Sequence, residues 1–407
     1  RVLFRSMVLF LVLNSSNSGK TFAVGTMTIM KKYLVVTNDF GPRIGGIESF
    51  VNSLVERMPR GEVLVYTSTQ DGQEEYDRNL ADKFGIQVIR DPYKVLLPTP
   101  SVIRRIQKVI EKTGTQFIWF GASAPLALMA DSLRKPGIEK IVATTHGHEL
   151  WWVKAPVTRQ LFKRIVKSVD VITYLGDFIG SQLKNVVPPE QRVKFVKLAP
   201  GVDHAHFVKS ANTDDLRKKH DLDGKRILIS VGRLVPRKGQ DRLIQVMKNL
   251  GSDVHLLICG HGEYEKDLKT LASNLGLSER VHFLGKVSYS DLPRYLSLGE
   301  IFVMPARNRL GGLEVEGLGI VYLEASSCSL PIIVGNSGGA PDAVIPGVTG
   351  YIVDGNNLEE IEHTISQLLL NPKQAVQMGI EGRNWIEREW TWDSASTKFL
   401  TLFSGNN

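Results

Sequence analysis

The sequence predicts an α/β protein made of two Rossmann-like domains that face each other across a cleft. Three observations carry that prediction. Short β-rich apolar runs alternate with amphipathic stretches along the chain, as strands alternating with helices do. Most of these runs are apolar at nearly every position, which suits parallel strands buried on both faces. The whole alternation restarts after "PGVD" at 200–203. A length of 407 residues leaves room for two or three domains, and 43% hydrophobic with 23% charged residues is an ordinary globular composition.

Taken in order, residues 1–29 are apolar, then rich in Ser, Asn and Thr, and carry no acid. The run Met7 to Leu13 is too short to span a bilayer. With Met30 the text changes to "MKKYLVVTNDF", so residues 1–29 are expected to be an extraneous or disordered tail, with Met30 or Met27 as the start; a short membrane anchor is the alternative. Residues 30–200 form the first domain. "YLVVTN", "EVLVYT", "FIWFG", "KIVATTH", "VDVITYL" and "VKFVKLAP" are its strands, and 47–58, 101–112 and 157–169 show the three-to-four spacing of helices. Residues 201–388 form the second, with strands at "RILISVGRL", "VHLLICG", "RVHFLGK", "IFVMPA" and "LPIIVGN". Ligands of such sheets bind outside the carboxyl ends of the strands, here in the cleft between domains.

Composition narrows function further. Cys259 and Cys328 both sit beside apolar runs, which argues against a disulfide framework and for a reducing compartment. The formal net charge of +8 is uneven: residues 30–200 hold 25 Lys and Arg against 17 Asp and Glu, whereas 201–407 hold 22 against 25. A basic first half calls for an anionic partner, whether phosphorylated substrate, lipid surface or nucleic acid.

Three stretches carry chemistry. In "NDFGPRIGGIESFV", Gly45 and Gly46 open a helix after a strand, where a ligand can approach bare backbone; a plain tight turn is the alternative. The spacing is not G-x-G-x-x-G, so a dinucleotide site is disfavoured. In "SVGRLVPRKGQDRLI", Arg233 and Lys238 follow a buried strand and suit a diphosphate; a solvated basic loop is the alternative. In "EGLGIVYLEA", Gly317-Leu318-Gly319 precede a helix whose first N–H groups, at Gly319, Ile320 and Val321, form a phosphate cradle. Glu316 and Glu324 bracket it, and carboxylates accept hydroxyls, so the pattern fits a phosphate flanked by two sugars, as in a sugar nucleotide. A capping glutamate and a solvent-facing one would be the plainer explanation.

Metal chemistry finds less support. "DLD" at 221–223 precedes a strand in a Lys-rich stretch and is expected to be a turn. "HGH" at 146–148 resembles the His-x-His of metal-dependent hydrolases, but His255, His282 and His363 fall within predicted elements that do not complete such a site. No metal or cofactor is expected. Between Trp151 and Val169 there are five basic residues and no acid, with Arg159, Lys163 and Lys167 at four-residue spacing. A basic amphipathic helix with aromatics can lie on an anionic bilayer, whereas an ordinary helix would turn its apolar face to the core.

The motif from Glu316 to Glu324, preceded by Arg233 and Lys238, "CGHGEYEKDL" and "FLGKV", resembles the retaining GT-B glycosyltransferases of the large family that includes sucrose-phosphate synthases and bacterial mannosyltransferases. The similarity runs from about 30 to 400. "TNDFGPRIGGIESF", "THGHE" and "GGLEVEGLGIVYLEA" look most like the actinobacterial phosphatidyl-inositol mannosyltransferases that use GDP-mannose. The resemblance implies donor binding by the second domain, acceptor binding by the first, and a last helix, 389–407, that returns to the first domain. It implies that Arg233 and Lys238 hold the donor diphosphate, Glu316 the transferred sugar and Glu324 the ribose. Gly319, Ile320 and Val321 would offer amides, the backbone near Val287 would meet the base, Gly46 would close from the first domain, and His146 would line the sugar site. Asp39, Arg43 and Gly45 fall on the acceptor side, with Arg159, Lys163 and Lys167 facing lipid. It further implies a metal-independent front-face reaction, an anionic lipid acceptor and a cytoplasmic enzyme peripheral to the inner face of the plasma membrane. The rivals are the same fold with a UDP-sugar and a soluble or other lipid acceptor, a metal-dependent hydrolase built on His146 and His148, and a nucleic-acid binder, which would have no use for paired Glu316 and Glu324.

Overall fold

The computed structural model describes residues 32–43, 45–312 and 314–404. The expected tail at 1–29 and both candidate starts lie outside them. Thirteen strands among the described residues form two sheets, parallel throughout. The first holds β1 (Tyr33–Thr37), β2 (Val63–Ser68), β3 (Gln87–Asp91), β4 (Phe117–Phe120), β5 (Lys140–Thr144), β6 (Val171–Tyr174) and β7 (Phe195–Lys197), in the order β3-β2-β1-β4-β5-β6-β7. The second holds β8 (Arg226–Val231), β9 (Val254–Cys259), β10 (Val281–Gly285), β11 (Ile301–Met304), β12 (Ile332–Gly335) and β13 (Gly350–Val353), in the order β10-β9-β8-β11-β12-β13.

Burial explains both the strands the sequence announces and the two it hides. Every residue of β1, β2 and β4 is buried, as helices on both faces require. The edge strand β3, "QVIRD", exposes alternate residues, and β13, "GYIV", is short and half-covered; neither has the continuous apolar run by which the others are recognised.

Strand order fixes where a ligand can sit. In each sheet the winding reverses beside the first strand, between β1 and β4 and between β8 and β11. The loops leaving neighbouring strands diverge there and open a crevice at the carboxyl ends. The two crevices face each other.

Two chain crossings join the domains side by side. The Val202 amide donates to the Trp390 carbonyl at 2.6 Å, and Val202 bridges Thr391 in parallel. A side chain at Gly201 would meet the Trp392 backbone at 2.4 Å, so only glycine fits. Before the crossing, helix Pro372–Glu389 packs on the second domain, with Trp385 and Ile386 in its core. Beyond it, helix Trp392–Ser404 packs on the first: the rings of Phe399 and Trp119 are 4.5 Å apart and those of Phe403 and Tyr33 5.4 Å. Polar contacts also span the gap. Lys197 Nζ lies 2.8 Å from Asp177 and 3.2 Å from Asp342 of the other domain, and Lys154 Nζ donates to the Gly312 carbonyl at 2.8 Å.

Of the two readings of the basic helix, bilayer face or core face, the structure fits the second. Helix Pro156–Ser168 buries Phe162, Ile165 and Val166 in the first-domain core, so its apolar face is not free to enter lipid. Arg159 folds back to donate to the carbonyls of Val153 and Lys154, at 2.6 and 3.3 Å, at the end of helix Glu149–Lys154. Lys163 is half-buried and Lys167 exposed. The large apolar side chains bare to solvent in this region are Trp151 and Val157, at 55% and 74% exposure.

Candidate active site

A cleft of about 1100 Å³ lies between the domains where the two crevices meet. It brings together Asp39, Gly45, Gly46 and His146 from the first domain with Lys238, Glu316, Gly319, Ile320, Val321 and Glu324 from the second. Six predicted residues are not on its lining: Arg43, Arg159, Lys163, Lys167, Arg233 and Val287.

The second-domain wall is built on β8 and on the loop after β11. A turn, Pro236–Lys238, follows β8 and is pinned by the Lys238 amide on the Val235 carbonyl at 3.0 Å. It aims Lys238 inward, where Nζ lies 2.8 Å from Glu316 Oε2, both side chains being buried. The approach does not have hydrogen-bond geometry, and Glu316 Oε2 accepts no hydrogen bond among the described residues. A buried carboxylate held by one cation and otherwise unsatisfied is an acceptor waiting for a donor. Beneath the turn, Arg307 and Asp241 form a buried two-pronged pair at 2.8 and 2.9 Å that ties the β11 loop to helix Gln240–Val246.

Helix Ile320–Ser327 starts at the cleft. Gly319 precedes it at φ +77 with the Tyr322 ring 2.5 Å from where a Cβ would sit, so both conformation and space demand glycine. The N–H groups of Gly319, Ile320 and Val321 bond to no acceptor among the described residues and point from a helix start, which favours an anion. The Glu324 carboxyl, one turn on, has no hydrogen bond or ion pair with another described residue, and burial pushes it up to about 7.

Arg233 departs from expectation in position. Gly232 lines the cleft, but the Arg233 side chain next to it is exposed and forms no ion pair among the described residues, so Lys238 alone of the two reaches the lining. The Val287 side chain packs against the second-domain core, which leaves its backbone for the role expected of it, and Tyr289 from the same loop lines the cleft, stacked on His206 at 4.6 Å.

The first-domain wall is more fully satisfied. Arg43 donates to Glu48 at 2.6 Å and lies 3.6 Å from Asp39, so its charge is already matched. Burial, and then the charge of Glu48, push the Asp39 carboxyl above its usual range. His146 follows β5, with Nε2 2.7 Å from the Gly121 carbonyl. That bond makes Nε2 the proton-bearing nitrogen and leaves Nδ1 as an acceptor; burial holds the ring below the usual histidine range, hence neutral at pH 7. Fully buried Glu149 fixes this loop by accepting from the amides of His146 and Gly147, both at 3.0 Å, and from the Ser123 hydroxyl at 2.8 Å. His148 turns to Glu149 as well, at 3.4 Å. Among the described residues no three His, Cys, Asp or Glu converge as metal ligands, so His146 and His148 do not form the centre a hydrolase would need.

The residues that sequence reasoning passed over are Glu149, Arg237 and Tyr289. Glu149 stood in the quoted "THGHE", and its place immediately after His148 was the available signal. Tyr289 had none beyond being an aromatic in a loop.

Paired parallel sheets meeting at their switch points, with a cation, a bare helix start and two carboxylates in one cleft, are the parts a glycosyltransferase that binds a sugar nucleotide needs. Residues 44–206 match the family model for Glycosyltransferase Family 4 and residues 212–385 that for Glycosyl transferases group 1. The chain belongs to this glycosyltransferase family. It is 39% identical over 377 residues to the GDP-mannose-dependent alpha-(1-6)-phosphatidylinositol monomannoside mannosyltransferase of Mycolicibacterium smegmatis, covering 91% of this chain and 98% of that protein. It is 40% identical over 384 residues to the GDP-mannose-dependent monoacylated alpha-(1-6)-phosphatidylinositol monomannoside mannosyltransferase of Corynebacterium glutamicum, covering 92% and 98%. Among solved structures, Anabaena HepE in complex with UDP superposes with a TM-score of 0.74 at 18% identity, over 92% of this chain and 99% of that one, a likeness of fold.

Proposed function

We propose that the chain transfers a mannosyl group from GDP-mannose to a phosphatidyl-inositol mannoside lipid, with retained anomeric configuration and without a metal. The observation that carries this is the buried pair of Lys238 and Glu316, whose Oε2 accepts no hydrogen bond, beside three amides at Gly319, Ile320 and Val321 that reach no acceptor among the described residues. A diphosphate fits the cation and amides, and a sugar hydroxyl fits the free acceptor of Glu316. The choice of mannose, guanine and an inositol lipid rests on the names of relatives 39% and 40% identical over nearly their whole length.

Each role follows from place. Lys238 and the helix start take the diphosphate, with Arg233, unpaired beside the cleft, folding onto it once the donor is bound. Glu316 accepts a hydroxyl of the transferred sugar, and Glu324 accepts from the ribose. Gly46 lets the first domain approach: a Cβ there would meet nothing within 4 Å, so its bareness serves something other than protein packing. In a front-face displacement the bond from the anomeric carbon to the diphosphate oxygen breaks as the acceptor oxygen bonds to the same face. The acceptor's proton passes to the departing diphosphate oxygen. Lys238 and the amides stabilise the charge that grows there, a role worth about 3–4 kcal/mol per well-placed donor. These donors supply the positive charge that a metal would otherwise bring. The lipid would be met at a membrane surface, on the cytoplasmic side where nucleotide sugars are made. No helix among the described residues is long and apolar enough to cross a membrane.

The test is transfer of labelled mannose from GDP-mannose to phosphatidylinositol monomannoside in detergent, run beside UDP-glucose and with a chelator. Lipid-extractable label from GDP-mannose alone, unaffected by chelation, is expected. Transfer only from UDP-glucose, or loss on chelation, would overturn the donor or the metal-free assignment respectively.

A further inference from the structure

A second, smaller hollow of about 280 Å³ adjoins the main cleft and is formed by both domains. Leu150, Trp151 and Ile179 line it from the first; Arg237, Val315 and Gly317 from the second; and Glu314 stands at its wall, paired with Arg309 at 3.0 Å. Three points join hollow to cleft. His146 lines both. Lys238 faces the cleft while Arg237, its neighbour, faces the hollow. Glu316 and Gly317 divide in the same way. Chain neighbours thus face the two spaces at two places, and His146 borders both.

Arg237 is the charge left over. It makes no ion pair among the described residues, and its Nε is buried without a hydrogen-bond partner. Its backbone is held, the carbonyl accepting from the Arg307 amide at 2.8 Å, so the turn itself directs the side chain. An unpaired guanidinium in a partly apolar hollow is costly unless an anion completes it. Its planar fork matches a phosphate better than a hydroxyl.

We propose that this hollow receives the acceptor, with Arg237 gripping its phosphodiester and the apolar side chains of Leu150, Trp151 and Ile179 covering the adjoining carbons. This rests on the transferase activity proposed above and adds to it the acceptor's place. Two consecutive cations then sort two anions: Lys238 takes the donor's diphosphate and Arg237 the acceptor's phosphate. The mannose moves between them past His146. The space holds a phosphate and part of a polyol, so the acyl chains stay outside, by the exposed Trp151 at the rim.

The experiment measures binding of soluble glycerophospho-inositol, free myo-inositol and GDP by calorimetry to the unmodified chain, Arg237→Ala, Arg237→Lys and Gly317→Ala. Arg237→Ala should weaken glycerophospho-inositol about ten- to a hundredfold, the range expected for losing a charged hydrogen-bonded contact. Arg237→Lys should restore part of that loss. Gly317→Ala should also weaken it, because a methyl there meets no protein atom within 4 Å and would enter the hollow. GDP affinity should hold within about twofold in the Arg237 variants, again in units of the tenfold per 1.4 kcal/mol scale. Equal binding of glycerophospho-inositol by Arg237→Ala and the unmodified chain, no preference for it over myo-inositol, or loss of GDP in its place would overturn the proposal. Failure of the donor assignment would show separately, as no GDP binding by the unmodified chain.

Discussion

The two walls of the cleft are made on opposite terms. On the first-domain side most polar groups are already paired: His146 Nε2 with the Gly121 carbonyl, Arg43 with Glu48, and Glu149 with two amides and a hydroxyl, leaving His146 Nδ1 and the Asp39 carboxyl open to a hydrogen bond. On the second-domain side, among the described residues, Glu316 Oε2 is met only by the Lys238 ammonium, the Glu324 carboxyl has no hydrogen bond or ion pair, and three amides reach no acceptor. A wall whose bonds are mostly complete offers shape and holds it; a wall with open bonds offers affinity. The donor's charge and hydroxyls thus belong on the second domain, and the first supplies a surface that closes on them.

The comparison breaks most visibly at Lys238. Lys238→Ala should cost roughly 10²–10³ in kcat, with GDP affinity reduced far less, because the lysine acts on charge that develops as the diphosphate leaves. Steady-state kinetics beside calorimetry would separate the two, and equal losses in both would assign Lys238 to ground-state binding. Gly319→Ala should come next, losing about 1–2 kcal/mol of stability from its left-handed backbone, with a matching fall in donor affinity as Tyr322 is displaced; thermal unfolding with and without GDP reads both.

Gly46→Ala tests the opposite wall. It should leave Tm unchanged, since the methyl meets no protein atom, yet weaken GDP-mannose by about tenfold if the ligand backs against that residue. Unchanged affinity would mean that the first domain does not touch the donor.

The smallest effect concerns Glu324. Its carboxyl, ordinarily near 4.5, is pushed up to about 7, so the folded chain holds a proton that the unfolded chain releases. Stability should therefore fall as pH rises from 4.5 to 7, with no contribution from this group below that window and a constant penalty above it. Glu324→Gln should lack the slope, and its Tm advantage over the unmodified chain should grow across the window by a few degrees and then level. Parallel pH curves for the two would show that the carboxyl is not held neutral.

How much could be read from the residues depended on what each feature asks of its neighbours. Strands buried on both faces announce themselves by continuous apolar runs; β3, with alternate residues exposed, and β13, only four residues long and half-covered, do not. The glycines before helix Ile320–Ser327 and the glutamates bracketing it were legible because a helix start and carboxylate spacing are local properties. Whether Arg233 or Arg237 turns inward was not, because the two lie four residues apart in one basic loop and only the turn at Pro236–Lys238 decides. The amphipathic pattern at 157–169 was correctly a helix, but periodicity alone cannot say whether an apolar face meets lipid or core; Phe162, Ile165 and Val166 meet the core. Tyr289 on the cleft lining was not legible either, being an aromatic in a loop that no pattern constrains.

The most direct measurement is a crystal structure of the chain with GDP-mannose. The account predicts the diphosphate within about 3 Å of Lys238 Nζ and of the amides of Gly319, Ile320 and Val321, with Glu316 on a sugar hydroxyl. A diphosphate seated on Arg237 in the smaller hollow, with Lys238 and those amides still unoccupied, would contradict it.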